Sequence, residues 1–244
     1  MTVGAPALRV IWHDLECGGY TADLPVWREL AGEHGDPVLD VGAGTGRVSL
    51  DLARHGHRVF ALDHDPVLLA ELERRADRLR VHPVRADARD FALKERFGLI
   101  IVPMQTIQLL GGPPGRKAFL AAAAAHLRGG GTVALAITEL LDLFASDDVP
   151  ALPLPDMRER DGIIYSSQPI AVREEPEYFV LERLRERIDP AGERVTEPDV
   201  IRLDRLTAAE LEAEAREVGL LSGGSVTVPE TVDHVGSVVV VLRG

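Results

Sequence analysis

The chain has 244 residues, with 27 Lys and Arg against 39 Asp and Glu and a net charge of −12 at pH 7. Such an acidic surface repels phosphate backbones, which argues against nucleic acid as the main partner, and the length suffices for a large core. The single cysteine, Cys17, excludes an internal disulfide.

The first residues lack the basic-then-apolar pattern of a signal peptide. Apolar runs such as 235–242 are strand-length, short of the roughly 20 residues that cross a bilayer. A cytoplasmic protein without membrane contact is the expectation.

In chain order, residues 11–20 (IWHDLECGGY) are too polar and glycine-rich for a regular element. His13 and Tyr20 within them are candidates for a flap over a ligand, against ordinary packed or surface roles. Asp23 is placed to cap a helix over 24–31, with Trp27 and Leu30 on its buried face.

From Asp36 onward short apolar runs alternate with amphipathic stretches. The pattern gives strand 38–41, helix 47–55, strand 58–62, helix 66–78, strand 79–85, a segment around Phe91, strand 99–102, helix 115–127 and strand 132–137. Strands alternating with helices imply βαβ units and a parallel sheet with right-handed crossovers.

After residue 137 the character changes. Residues 147–156 are rich in Pro and Asp and read as a loop. Strands over 163–167, 178–188 and 200–206 follow, with Asp189-Pro-Ala-Gly192 as a hairpin turn, which makes an antiparallel insertion. Arg183, Arg185 and Arg187 share one strand face, expected to be solvated because Glu182 and Glu186 lie nearby. Thr207 with Glu210 forms a capping box for a helix reaching Val218. Two closing strands, 225–228 and 235–242, complete the chain. The expected organisation is an N-terminal flap and helix (1–35), an α/β core (36–140), the antiparallel insertion (141–206), and the final helix and closing strands (207–244).

The chemistry concentrates at Val38-Leu-Asp-Val-Gly-Ala-Gly-Thr-Gly46, where an apolar strand runs into three glycines at alternate positions. Without a Cβ the chain can turn sharply and a ligand can lie on bare backbone beside free helix N–H groups. The spacing Gly42, Gly44, Gly46 departs from the Gly-x-Gly-x-x-Gly of dinucleotide sites, and Arg47 follows directly. Asp40 beside the turn would repel a pyrophosphate and attract an ammonium group. Asp63 closes the next strand, where an acid can accept both hydroxyls of a ribose; capping the next helix is the other reading, and Asp65 before Pro66 fills it better. Asp87 ends the third strand, where its carboxylate and the following N–H could read an adenine edge.

These segments, with Ala61-Leu-Asp-His64, Arg85-Ala-Asp-Ala88, Phe97-Gly-Leu-Ile-Ile-Val-Pro-Met104 and His126-Leu-Arg-Gly-Gly-Gly131, resemble the successive motifs of class I S-adenosylmethionine-dependent methyltransferases. The resemblance implies a Rossmann-like seven-stranded sheet, mostly parallel with an antiparallel last strand. It also implies S-adenosylmethionine as cofactor and S-adenosylhomocysteine as product. By position, Asp40 with Gly42, Ala43, Gly44 and Gly46 would surround the methionine moiety. Asp63, with His64 beside it, would meet the ribose, Asp87 and Ala88 the adenine, and Val102 to Met104 would line the cofactor. Gly98 departs from the family's usual aspartate and Gly130 from its usual proline; His13 aligns with a tyrosine of related flaps, a role Tyr20 could take.

Methyl transfer is an in-line displacement that needs positioning, and a base only where the nucleophile carries a proton. The stretch after the fourth strand, Pro103-Met-Gln-Thr-Ile-Gln-Leu-Leu110, holds no Asn-Pro-Pro-Tyr motif. Gln105 and Gln108, one turn apart, are candidates to orient an acceptor, and His13 and His234 are candidate bases. His55 and His57 match a metal pair by spacing alone and read as structural, so no metal is expected. The leading expectation is methylation of O or N on a small metabolite, with the insertion setting the acceptor or a homodimer contact. The alternatives are a methyltransferase for RNA or protein, and a cofactor-binding protein without turnover.

Overall fold

The computed structural model describes residues 4–146, 152–231 and 234–244. The chain divides into two compact units. The first comprises residues up to Val10, Tyr20–Glu139 and Leu206–Gly244, and the second Ile11–Gly19 with Leu140–Arg205. Among the described residues no helix is long and apolar enough to cross a membrane.

The chain opens with α1 (Ala5–Cys17), where the sequence pattern led us to expect no regular element over 11–20. The reason is that Gly18 and Gly19 follow the helix and end it. Within it Val10, Ile11, Trp12 and Leu15 recur at helical spacing and are all buried. Helix α2 (Leu24–His34) follows, with Trp27 fully buried.

The alternating pattern then yields β1 (Val38–Val41), α3 (Arg47–Arg54), β2 (Val59–Asp63), α4 (Pro66–Ala76), β3 (Val81–Arg85), β4 (Phe97–Val102), α5 (Gly112–His126) and β5 (Leu127–Ile137). The second unit contributes β6 (Phe144–Ala145), β7 (Asp156–Arg160), β8 (Ile163–Glu174), β9 (Tyr178–Ile188) and β10 (Arg194–Asp204). The first unit closes with α6 (Ala208–Glu217), β11 (Leu221–Val228) and β12 (Ser237–Arg243). The capping box forms as expected, Thr207 accepting from the Glu210 N–H while Glu210 reaches back.

The first unit holds a seven-stranded sheet of order β11-β12-β5-β4-β1-β2-β3. β1 pairs in parallel with both β2 and β4, and β12 lies antiparallel between β5 and β11. The order reverses between β1 and β4, because β1 continues β1-β2-β3 to one side while β4-β5 grows to the other. That reversal leaves a crevice at the carboxyl ends of the strands.

Alternation along the strands fills two apolar layers. Val38, Leu99, Ile101, Ala134 and Val239 pack on the face covered by Trp27, Val48 and Leu72. Leu39, Ile100, Val133, Leu135 and Val240 pack on the face covered by Phe119, Leu120, Leu211 and Ala215. Side chains burying this much apolar area each contribute about 1.5–3 kcal/mol. On the second face Arg116 of α5 and Glu214 of α6 form a buried pair at 2.6 and 2.9 Å.

The second unit holds a sheet of order β10-β9-β8-β6, with β7 also on β8. The hairpin turn at 189–192 forms, the Gly192 N–H donating to the Asp189 carbonyl at 2.9 Å. Of the loop expected over 147–156, residues 147–151 lie outside the described residues. β6 and β7 had no signal in the sequence, because a two-residue strand and the charged run Asp-Met-Arg-Glu-Arg lack apolar alternation.

The arginine face corrects the expectation of a solvated surface. Arg183, Arg185 and Arg187 are half-buried, and Arg185 forks onto Glu16 with both contacts at 2.7 Å and reaches Asp199 at 2.9 Å. Its guanidinium lies 5.7 Å from the Trp12 ring centre. Helical Trp12 and Glu16 therefore cover this face, an arrangement that depends on α1 existing at all.

Candidate functional site

The side chain of Asp40 leaves β1 on the face it shares with Val38, toward α3. There it is 1% exposed, and its Oδ2 accepts from the Ser49 hydroxyl at 2.6 Å. Its Oδ1 has no partner among the described residues. Burial raises its pKa to about 6, opposed by the Ser49 hydrogen bond and the Arg47 guanidinium.

The loop beyond β1 is shaped by backbone. Gly42, Gly44 and Gly46 all have positive φ, at 74°, 53° and 95°. A Cβ on Gly42 would come within 2.5 Å of Thr106, and one on Gly46 within 3.0 Å of Leu50 and Leu72. Alternate glycines are thus required both by the turn and by the neighbours pressed against it.

Asp63 fastens this loop. Its Oδ2 accepts from the Gly44 N–H at 2.8 Å and its Oδ1 from the Asp65 N–H at 2.9 Å. His64 is exposed beside it, 3.4 Å from Oδ1. The helix cap falls to Asp65, which accepts from the Val67 N–H at 2.8 Å. Asp87 is exposed, accepting from the Arg89 N–H at 2.8 Å and paired with the Arg89 guanidinium at 2.6 Å. That partner holds its carboxyl down at about 2. Ala88 is half-buried, Val102 fully buried, and Met104 turns the chain after β4 at φ 53°.

The three acids Asp40, Asp63 and Asp87 and the glycine loop therefore lie at the carboxyl ends of β1, β2 and β3, in the crevice left by the strand-order reversal. Tyr20 belongs to the same unit: its carbonyl accepts from Arg47 at 2.8 Å, and the Arg47 guanidinium lies 5.2 Å from its ring centre. Arg47 also pairs with Asp23 at 2.5 and 2.8 Å. Asp23 stands at the start of α2 without making the expected side-chain cap, because its carboxylate serves Arg47 and the Trp27 indole N–H instead. Nothing in the spacing of the sequence signalled this clamp, whose partners are 24 residues apart.

The two glutamines are placed differently. Gln105 precedes a 3-10 turn over Thr106–Leu109, whereas Gln108 is fully buried, its amide bonded to the Thr138 carbonyl at 3.0 Å and the Thr138 N–H at 2.8 Å. Gln105 stands outside the turn as its N-cap and is half-buried. His13 is half-buried in the part of α1 that belongs to the second unit. His55 and His57 are engaged separately, with the Asp51 carbonyl and with Asp36. Among the described residues no cluster of His, Cys, Asp or Glu could hold a metal. Gly98 is explained locally, since a Cβ there would come within 2.6 Å of the Arg128 side chain.

The strand order and the acidic, glycine-lined crevice define a class I methyltransferase fold. Residues 38–131 match the model of the methyltransferase domain family. The curated cypemycin N-terminal methyltransferase of a Streptomyces species is 32% identical over 127 residues, which is 52% of this chain and 52% of that protein. The match thus spans about half the length of the curated relative.

Among solved structures, a sugar N-methyltransferase from a Streptoalloteichus species superposes with a TM-score of 0.73 at 19% identity, covering 98% of both chains. An amino pentose methyltransferase from Micromonospora echinaspora gives 0.71 at 21% identity, over 100% of this chain and 99% of its own. Residues 38–131 thus carry a methyltransferase domain, and the chain as a whole shares the fold of these solved methyltransferases.

Proposed function

We propose that this protein methylates a nitrogen of a small-molecule amine, using S-adenosylmethionine and releasing S-adenosylhomocysteine. The observation that carries the reading is Asp40: a carboxylate buried to 1% exposure beside the glycine loop, with one oxygen lacking a partner among the described residues. Such a group favours a ligand that brings a cation or a donor and disfavours a pyrophosphate. The bare backbone of the loop leaves room for that ligand, and Asp63 keeps lone pairs free for ribose hydroxyls after its two backbone bonds.

When bound, S-adenosylmethionine supplies a methyl group on a positively charged sulfur. The chain's own contribution is to bind, align and exclude water: Asp40 attracts the charged tail, Asp63 fixes the ribose, and Asp87 with Ala88 meets the adenine. Tyr20, held by Arg47, covers the crevice from the N-terminal side. Val102 and Met104 line it beyond β4, with His64 at its rim.

Nitrogen is favoured over oxygen because the relatives described as sugar N-methyltransferase and N-terminal methyltransferase both carry that chemistry in their names. A peptide N-terminus is a second acceptor reading, supported by the latter. Acceptor choice is assigned to the antiparallel unit, where half-buried arginines and carboxylates suit a molecule rich in hydroxyl and amino groups; a homodimer through that unit is its other use.

The test is turnover to S-adenosylhomocysteine with amino sugars, peptides bearing a free N-terminus, and phenols side by side. Product from amines supports the proposal. Product from phenols alone overturns the choice of nitrogen, and cofactor binding without any product supports a binding protein instead.

A further inference from the structure

Eight histidines occur in the chain. His34, His55, His57, His64, His82 and His126 each have a hydrogen-bond or ion-pair partner. His234 differs: its ring nitrogens have no hydrogen bond or ion pair among the described residues, while its ring stacks on Tyr20 with centroids 4.8 Å apart at 34°. The imidazole is half-exposed, and its backbone is fixed by a turn in which the Thr231 N–H donates to its carbonyl at 2.9 Å.

Topology places this ring at the crevice. His234 precedes β12, whose first paired residues, Ser237 and Val238, stand against Val228 and against Ile137 at the carboxyl end of β5. Tyr20 is tied through Arg47 to the turn directly after Gly46. The stacked pair thus joins the glycine loop to the carboxyl edge of the sheet, all within the first unit.

We propose that His234 is the base that receives the acceptor's proton, with Tyr20 positioning the imidazole; the inference rests on the methyl-transfer reading above. An amine acceptor is largely protonated near neutrality and has no lone pair until it gives up that proton. Neutral His234 takes the proton and becomes imidazolium. The freed nitrogen lone pair then forms the new N–C bond as the S–C bond breaks with its electron pair staying on sulfur. The half-exposed imidazolium returns its proton to water.

The charge around the ring permits this cycle. Tyr20 faces it as a neutral phenol, its pKa raised by burial and by Asp23. The Arg47 guanidinium on the far side of Tyr20 is neutralised by Asp23 at 2.5 Å. Ser237 on β12 is uncharged, and Glu230 on the same loop is exposed. The Tyr20 hydroxyl is buried and has no hydrogen-bond partner of normal geometry among the described residues, so the tyrosine contributes its ring as a platform.

The test compares wild type with H234A and H234Q on the amine that turns over fastest in the acceptor panel. For H234A, kcat at neutral pH should fall about 10²- to 10⁴-fold, the range for losing a positioned base. The pH–rate profile should lose its inflection from the imidazole and follow the acceptor amine's own deprotonation alone, and added imidazole should restore part of the rate. Stabilisation by S-adenosylhomocysteine should be unchanged in H234A and H234Q.

An unchanged rate and pH profile in H234A would overturn the assignment. Failure of the wild type to methylate any amine would instead overturn the proposed function, so the two failures are distinct.

Discussion

Asp63 holds the glycine loop by its side chain: its Oδ2 accepts the Gly44 N–H at 2.8 Å, across 19 residues of sequence. The carboxylate proposed to meet the ribose is therefore also the strut that keeps the loop in shape for it. Asp63→Ala should abolish the thermal shift produced by S-adenosylmethionine. It should also destabilise the free protein by about 1–3 kcal/mol, because two buried N–H groups lose their acceptor. Asp63→Asn keeps one acceptor oxygen and should lose binding with a smaller loss of stability, as denaturant titration of both variants would show.

The Asp40 carboxyl has a folded pKa of about 6, above its unfolded value, so the folded state holds the proton more tightly. The sign follows: this group lowers stability as pH rises from about 4 to 6, and the penalty is fully present above that. A cationic ligand reverses the preference by favouring the charged form. Affinity for S-adenosylmethionine should therefore rise with pH through about 6, and that part of the dependence should be absent in Asp40→Asn. Calorimetric titration between about pH 5 and 8 checks it.

Gln108 mimics a strand partner for Thr138 with both ends of its amide. Gln108→Ala leaves a buried N–H and a buried carbonyl unpaired, at about 1–3 kcal/mol each. Gln108→Glu sets a carboxylate against the Thr138 carbonyl in a fully buried site, an uncompensated charge. Stability measured by denaturant above neutral pH should rank wild type above the Ala variant and that above the Glu variant.

Arg116 and Glu214 are buried on α5 and α6, with side chains only 4% and 10% exposed. Glu214→Leu leaves a guanidinium without its counter-charge and should cost about 3–5 kcal/mol. The double change Arg116→Met with Glu214→Leu should recover much of that loss. A double-mutant cycle by chemical denaturation reads the coupling.

Much of the site was legible because its signals are local. A strand running into Gly42, Gly44 and Gly46, and acids closing three successive strands, are fixed by chain order and by the φ values that only glycine adopts freely. The Arg47 clamp on Asp23 and Tyr20 was not legible, since an arginine after a glycine loop carries no mark of which distant carboxylate it meets. Gln108 misled for a related reason: spacing places two amides one turn apart, but only the fold shows that the Gln108 amide is buried and committed to Thr138.

The sequence by itself determined the alternation of strands and helices, the parallel sheet and the class of ligand its crevice takes. Periodicity and glycine positions act over a few residues and survive any later packing. Tertiary structure alone decided that residues 11–17 form a helix and that the arginines of β9 are covered by Trp12 and Glu16. It also decided that His234 meets Tyr20 across more than 200 residues of chain. Each of those is a contact between segments distant in sequence, settled by which surfaces the folded core leaves to be buried.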